Sequence, residues 1–193
     1  MLLPRACAPR VMKKWYQRSW LRVECNAGPL IALGELGQLG LLQKLFTEVL
    51  IANEVFREVV INGRQLGARE ADAVDFFVKQ GIIQLVEVEI TPGHPLLASG
   101  LDLGEIATLV LGKRISADWV LIDDMAARRI ARRERVPVKG TMGLLLAALQ
   151  RGFITLQELE LLVQQIKSLP ELWISDALCD AVLRQARQTS PQR

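Results

Sequence analysis

The chain has 193 residues, half of them hydrophobic and 23% charged, with a formal net charge of +3. This balance suits one domain that folds by burial and excludes an intrinsically disordered chain. The apolar runs, of which LLQKLF and GLLLAAL are the longest, stop short of the ~18 residues a membrane span needs, so no transmembrane helix is expected. Cys7, Cys25 and Cys179 are far apart and odd in number, which fits neither a disulfide framework nor zinc spacing and points to the cytoplasm.

Residues 1–20 carry Arg5, Arg10, Lys13, Lys14 and Arg18 without an acid, and they lack the apolar core and cleavage site of an export signal. They read as a basic leader, disordered or an upstream start, ahead of one domain over residues 21–190. Trp15, Tyr16 and Trp20 among these charges are candidates for stacking on bases. A first strand is expected over Leu21 to Cys25, followed by a helix from Pro29 with Leu30, Ile31, Leu33 and Leu36 on one side. Gly37 and Gly40 break it. LLQKLF reads as a short helix and EVLIA as a second strand, after which Asn53 caps a helix through Val55, Val59 and Val60 that Gly63 ends.

Residues Ala68 to Lys79 are amphipathic, and Gly81 stops them before an alternating strand, IIQLVEV. Thr91 to Gly100, containing TPGHP, reads as an exposed loop. A helix starts at Asp102 or Leu103. WVLID is a buried strand, and DMAARRIARRER a helix with Met125, Ile130 and Ala131 inward and its arginines outward. VPV is a short last strand. TMGLLLAALQRG, Thr155 to Ser168 (a threonine cap with Glu158 three residues on) and Asp176 to Arg187 form three closing helices. Strands alternating with helices give an α/β class with a mostly parallel sheet.

Four acidic signals recur at strand ends and first helical turns: Asn26 in CNAGPLIAL, Glu54 and Glu58 in NEVFREV, Asp102 and Glu105 in LDLGEIATL, and Asp123 and Asp124 in VLIDDMAARR. The carboxyl ends of parallel strands are where an α/β fold gathers its ligands. Oxygen donors of this kind suit magnesium or manganese, which need few carboxylates plus a substrate phosphate. Each acid taken singly is equally a helix cap. Arg128, Arg129, Arg132 and Arg133 form two i, i+4 rows beside Asp124 that match a phosphate backbone, or else a solvated face paired with Glu134. His94, between Gly93 and Pro95, reads as structural or solvent-exposed rather than as a general base.

The order of NAGPLIALGELGQLGLL, VLIANEVFREVV, LDLGEIATLVL and WVLIDDMAARRIARRERVPVKGTMGLLLAALQRGFI resembles PIN-domain proteins, in particular a prokaryotic group related to the toxin ribonucleases of toxin–antitoxin modules. The resemblance implies a three-layer α/β/α sandwich and a magnesium- or manganese-dependent cleft that cuts single-stranded RNA. By position, Glu58, Glu105 and Asp124 are its catalytic acids. Asn26, Glu54 and Asp123 complete the metal set, Arg128, Arg129, Arg132 and Arg133 bind RNA, and Thr141 supports the site. An antitoxin protein and a homodimer are the implied partners, the latter through Leu156, Leu159, Leu162 and Val163 unless that stripe closes the core. Asn26 stands where the family has aspartate. An amide ligates a hard cation without bringing charge, so the alternative is a weak or inactive module that binds RNA or a protein. A small-molecule phosphohydrolase lacks support, there being no glycine-rich phosphate loop or nucleophile elbow.

Overall fold

The computed structural model describes residues 21–189. The leader, with Trp15, Tyr16 and Trp20, lies outside the described residues. Five buried or half-buried segments form the sheet: β1 (Arg22–Cys25), β2 (Glu48–Ala52), β3 (Ile83–Val86), β4 (Trp119–Leu121) and β5 (Val138–Lys139). All pair in parallel, in the order β3-β2-β1-β4-β5. Parallel strands need crossovers, which here are helical. Between β1 and β2 lie α1 (Ala27–Glu35) and α2 (Gly40–Leu45); between β2 and β3 lie α3 (residues 53–65) and α4 (Glu70–Lys79). Then come α5 (Leu103–Arg114) before β4 and α6 (Met125–Arg133) before β5. The chain closes with α7 (Thr141–Gln150), α8 (Leu156–Ser168) and α9 (Asp176–Thr189).

Strand residues alternate between two faces, and each face is covered. Val23, Cys25, Val49, Ile51 and Leu121 join the main core with Leu30, Leu33, Leu144 and Leu145. On the other face Val120 packs with Leu109, Ile122, Ala127 and Ala131. This is the three-layer α/β arrangement expected, with α5 lying across β1, β2 and β4. Its close approach depends on Gly112, where an added methyl would lie 2.4 Å from Val120 Cγ2.

Several boundaries differ from expectation for identifiable reasons. Gly63 does not end α3, which runs through it as consecutive α, π (Arg57–Asn62) and α turns. The glycine is instead a contact, since a methyl there would come within 3.3 Å of Ala71 Cβ. Asn53 is the first helical residue, and the extended Ala52 is the cap. The β3 strand is shorter than IIQLVEV because its pairing partner β2 ends at Ala52, opposite Val86. Residues 91–100 contain one 3-10 turn, Pro95–Ala98, capped by His94, whose Nδ1 accepts from the Leu96 N–H at 3.3 Å. Met125 is 79% exposed rather than inward, because Ala127 and Ala131, one turn apart, set the buried face of α6.

The closing helices follow expectation most closely. Thr155 and Glu158 form a capping box at the start of α8, and α8 and α9 both pack with α7. Leu159, Leu162 and Val163 are buried in the main core and Leu156 packs against it, so the leucine stripe closes the domain. Among the described residues no helix is long and apolar enough to cross a membrane.

Candidate active site

The strand order reverses between β1 and β4, and in open parallel sheets a crevice forms outside the carboxyl ends at such a point. Asn26 follows β1 directly. Its N–H donates to Leu121 O at 3.0 Å, and the residue is buried, 6% exposed. It occupies the cap position of α1 without a side-chain capping bond, so the amide is free for other contacts, and Oδ1 accepts from Thr108 Oγ1 at 3.3 Å.

After β4 come Asp123 and Asp124. Asp123 is anchored: it accepts from the N–H of the fully buried Thr141 at 2.8 Å and from Thr141 Oγ1 at 2.5 Å. Burial raises the Asp123 carboxyl above its ordinary range, opposed by the two Thr141 bonds and by Arg128. Asp124 caps α6, accepting from the Ala127 N–H at 2.7 Å. The start of α5 is a capping box in which Asp102 Oδ1 accepts from the Glu105 N–H at 2.7 Å and Glu105 Oε2 accepts from the Asp102 N–H at 3.1 Å.

These caps stand in one neighbourhood. A methyl group added to Gly104 would lie 3.0 Å from Glu58 Oε2, 3.3 Å from Asp102 Oδ1 and 4.0 Å from Asn26 Oδ1, so glycine leaves a small cradle among three oxygens. Glu58 reaches it from the π segment of α3, a kind of helical distortion often found at functional sites. Burial, then the charge of Asp102, raises the Glu58 carboxyl. Glu105 is pushed up to about 7, chiefly by burial, with the adjacent Asp102 and Asp124 adding to the shift and the Asp102 N–H opposing it. Glu58, Asp123 and Asp124 also line a cavity of about 430 Å³, together with Met125 and Trp173.

The structure therefore brings together Asn26, Glu58, Asp102, Glu105, Asp123 and Asp124. Glu54 lies one turn before Glu58 with a buried Oε2 that has no hydrogen-bond partner, and it does not line the cavity. Arg128 departs from the expected outward row: it is half-buried, and its Nη1 donates to Ile122 O at 3.3 Å, whereas Arg129, Arg132 and Arg133 are exposed. Three residues escaped sequence reasoning. Thr108 has no signal of its own. Glu24 interrupts a buried strand with a charge, which is a readable anomaly. Trp173, 96% exposed, follows Pro170 in the loop before α9.

The donors are oxygens, most of them acidic, which suits a hard divalent cation, and the raised carboxyls are those a cation would relieve. As placed, however, no three His, Cys, Asp or Glu side chains among the described residues stand close enough to hold an ion. Glu105 and Asp124 are turned toward the backbone N–H groups they cap, and both must give up part of that geometry to share one ion. Asn26, Glu58, Glu105 and Asp124 are the residues that could hold it.

No curated protein matches the chain. The family model described as DUF3368: PIN domain matches residues 22–188, nearly the whole of the described structure. The chain belongs to the PIN-domain family, whose members are generally nucleases that act with divalent metal ions.

Proposed function

We propose that this chain is a metal-dependent endoribonuclease that cleaves single-stranded RNA. The observation that carries it is the convergence of Asn26, Glu58 and Asp102 oxygens around Gly104, with Glu105 and Asp124 beside them at the strand switch point. Glu58, Glu105 and Asp124 hold the charge of the site. Asn26 adds a neutral oxygen, while Asp123, tied to Thr141, fixes the chain segment from which Asp124 projects. Glu54 stands in reserve behind Glu58. A magnesium or manganese ion held there supplies activation of the attacking water and stabilisation of charge on the scissile phosphate.

Arg129, Arg132 and Arg133 hold the RNA backbone by charge, and Arg128 braces the loop of Asp123 from inside. Trp173, which lines the same cavity as the acids, offers a plane for an unpaired base, and Trp173→Ala weakens RNA binding by about 1–3 kcal/mol. Purified protein incubated with an RNA panel and either ion tests the proposal. Cleavage that is absent with both ions, or undiminished in Asp124→Ala, rejects it. The same proposal assigns the chain the toxin role of a two-gene module, with an antitoxin protein as partner and a homodimer as the working form. An adjacent small gene for a DNA-binding protein checks the first, and light scattering the second.

A second function, an inactive module that binds RNA or a protein, is favoured by Asn26 in place of a carboxylate and by carboxylates committed to capping. RNA affinity without any heat of manganese binding selects it.

A further inference from the structure

The cavity that holds Glu58, Asp123 and Asp124 continues along one face of α1. Gly28, Ile31 and Ala32, at helical spacing, line it together with Glu171, Leu172, Trp173 and Ile174 of the loop before α9. Gly28 marks the acid end of that face, since a methyl added there would lie 3.6 Å from Asp123 Cβ. Glu35 lies about 10 Å further along α1, at 1.5 Å of rise per residue. Its carboxyl is raised chiefly by a hydrogen bond with Glu70 and by burial, and the charge of Glu171 adds to the shift. Glu171 therefore stands toward the Glu35 end, away from the acids that would hold a metal. The separation is close to the reach from the phosphate of a nucleotide to the outer edge of its base.

The loop is pinned in the middle. Leu172 is buried in the main core and its N–H donates to Leu169 O at 3.0 Å, while Glu171 and Trp173 on either side of it are exposed and line the cavity. A volume of about 430 Å³ falls within the range of about 300–1,000 Å³ usual for small-molecule pockets, and it has room for one nucleotide.

The lining carries no Lys, Arg or His, and among the described residues Glu171 has no ion-pair partner. Its negative charge repels a second phosphate and leaves that end to a base. Ile31, Ala32 and Leu172 offer apolar contact, and Trp173 a stacking plane. An ionised carboxylate only accepts, through two oxygens. In single-stranded RNA the Watson–Crick edge of each base is free to be read. Guanine alone shows two adjacent donors there, N1–H and the N2 amino group. Adenine and cytosine set a bare ring nitrogen beside their amino group, and uracil flanks its one N–H with two carbonyls, so each would turn a lone pair toward a carboxylate oxygen.

We propose that Glu171 is a specificity-determining residue, its carboxylate pairing with N1–H and the N2 amino group of a guanine stacked on Trp173, next to the scissile phosphate. The place beside a scissile phosphate rests on the nuclease function proposed above; the base recognition needs no metal.

The test titrates full-length protein without added metal, by fluorescence anisotropy, with labelled oligouridylates that carry one central guanine, inosine, adenine or cytosine. The guanine strand should bind about tenfold tighter than the others, the discrimination of one bidentate contact. Inosine, which lacks the N2 amino group, should lose most of that gain. Glu171→Gln, with one acceptor and one donor, should move the preference toward adenine and cytosine, and Glu171→Ala should level the series. Thermal melts of both variants should match the wild type, because the side chain is exposed. Cuts mapped on the same strands with manganese should fall beside guanine for the wild type and lose that preference in both variants. Wild-type binding that does not distinguish guanine, or a guanine preference that survives in both variants, overturns the proposal. Guanine-selective binding without cleavage by either ion overturns the nuclease function and leaves the base assignment standing, and cleavage indifferent to guanine does the reverse.

Discussion

The cleft acids and the acids of the closing helices are the same residue types under opposite conditions. On α8 and α9, Asp180 accepts from Lys167 Nζ at 2.6 Å and Glu160 from Arg187 Nη2 at 2.8 Å, and both pairs are partly exposed. Lys167 lowers the Asp180 carboxyl, and the Thr155 cap lowers Glu158. In the cleft Glu58 and Glu105 move the other way, and among the described residues neither they nor Asp124 has a salt-bridge partner. Acids that stabilise a helix surface come with their own cations. The cleft instead crowds carboxyls on one another and leaves the compensating charge to be supplied from outside.

The largest test of that contrast separates charge from capping. Asp124→Asn keeps an oxygen that can cap α6 while removing the charge, and Glu105→Gln does the same for α5. Both should lose metal-dependent cleavage by more than ~100-fold, beyond the effect of outer-sphere changes, while thermal melts stay level or rise. Undiminished cleavage in both would mean that the acids serve only as caps. Gly104→Ala is a graded version. It gains up to ~1 kcal/mol of helix propensity, yet sets a methyl 3.0 Å from Glu58 Oε2, so manganese affinity should drop about tenfold in a protein at least as stable.

Titration should part the two regions next. Glu105 has its ordinary value near 4.5 in the unfolded chain and about 7 in the folded one, so the native state keeps a proton that the unfolded state releases. Its contribution to stability is complete below the unfolded value and is lost as pH rises through about 7. Melting of metal-free protein across that window should show falling stability, which Glu105→Gln flattens and manganese reverses. The Asp180 carboxyl, shifted down, contributes stability above its unfolded value that is lost only in acid. The smallest effect belongs to that exposed pair: Lys167→Ala should leave the melting temperature nearly unchanged and manganese affinity unaltered.

Elements whose identity depends on local chemistry were readable in advance. The strands β1, β2 and β4, the Thr155–Glu158 box and the stop at Gly81 follow from apolar runs, caps and a residue tolerant of positive φ. Misreadings came where a distant partner decides. Gly63 resembles a stop but is a contact with Ala71, Met125 resembles a core residue but sits at the cleft rim, and β3 ends where its neighbour does. Arg128 looked like half of a phosphate-binding row and turned inward to Ile122 O.

The four motifs, by their order and surrounding text, sufficed to place the chain in its family, because they mark strand ends and helix starts that local sequence dictates. What only the tertiary structure decided is which of their oxygens share space. The Gly104 cradle joins three chain segments, Asp102 enters the cleft as well as capping α5, and Asn26 accepts from Thr108, 82 residues further along the chain. Contacts of that range depend on how closely α5 settles on the sheet, a distance set by packing against Val120 at Gly112 and invisible in any local pattern.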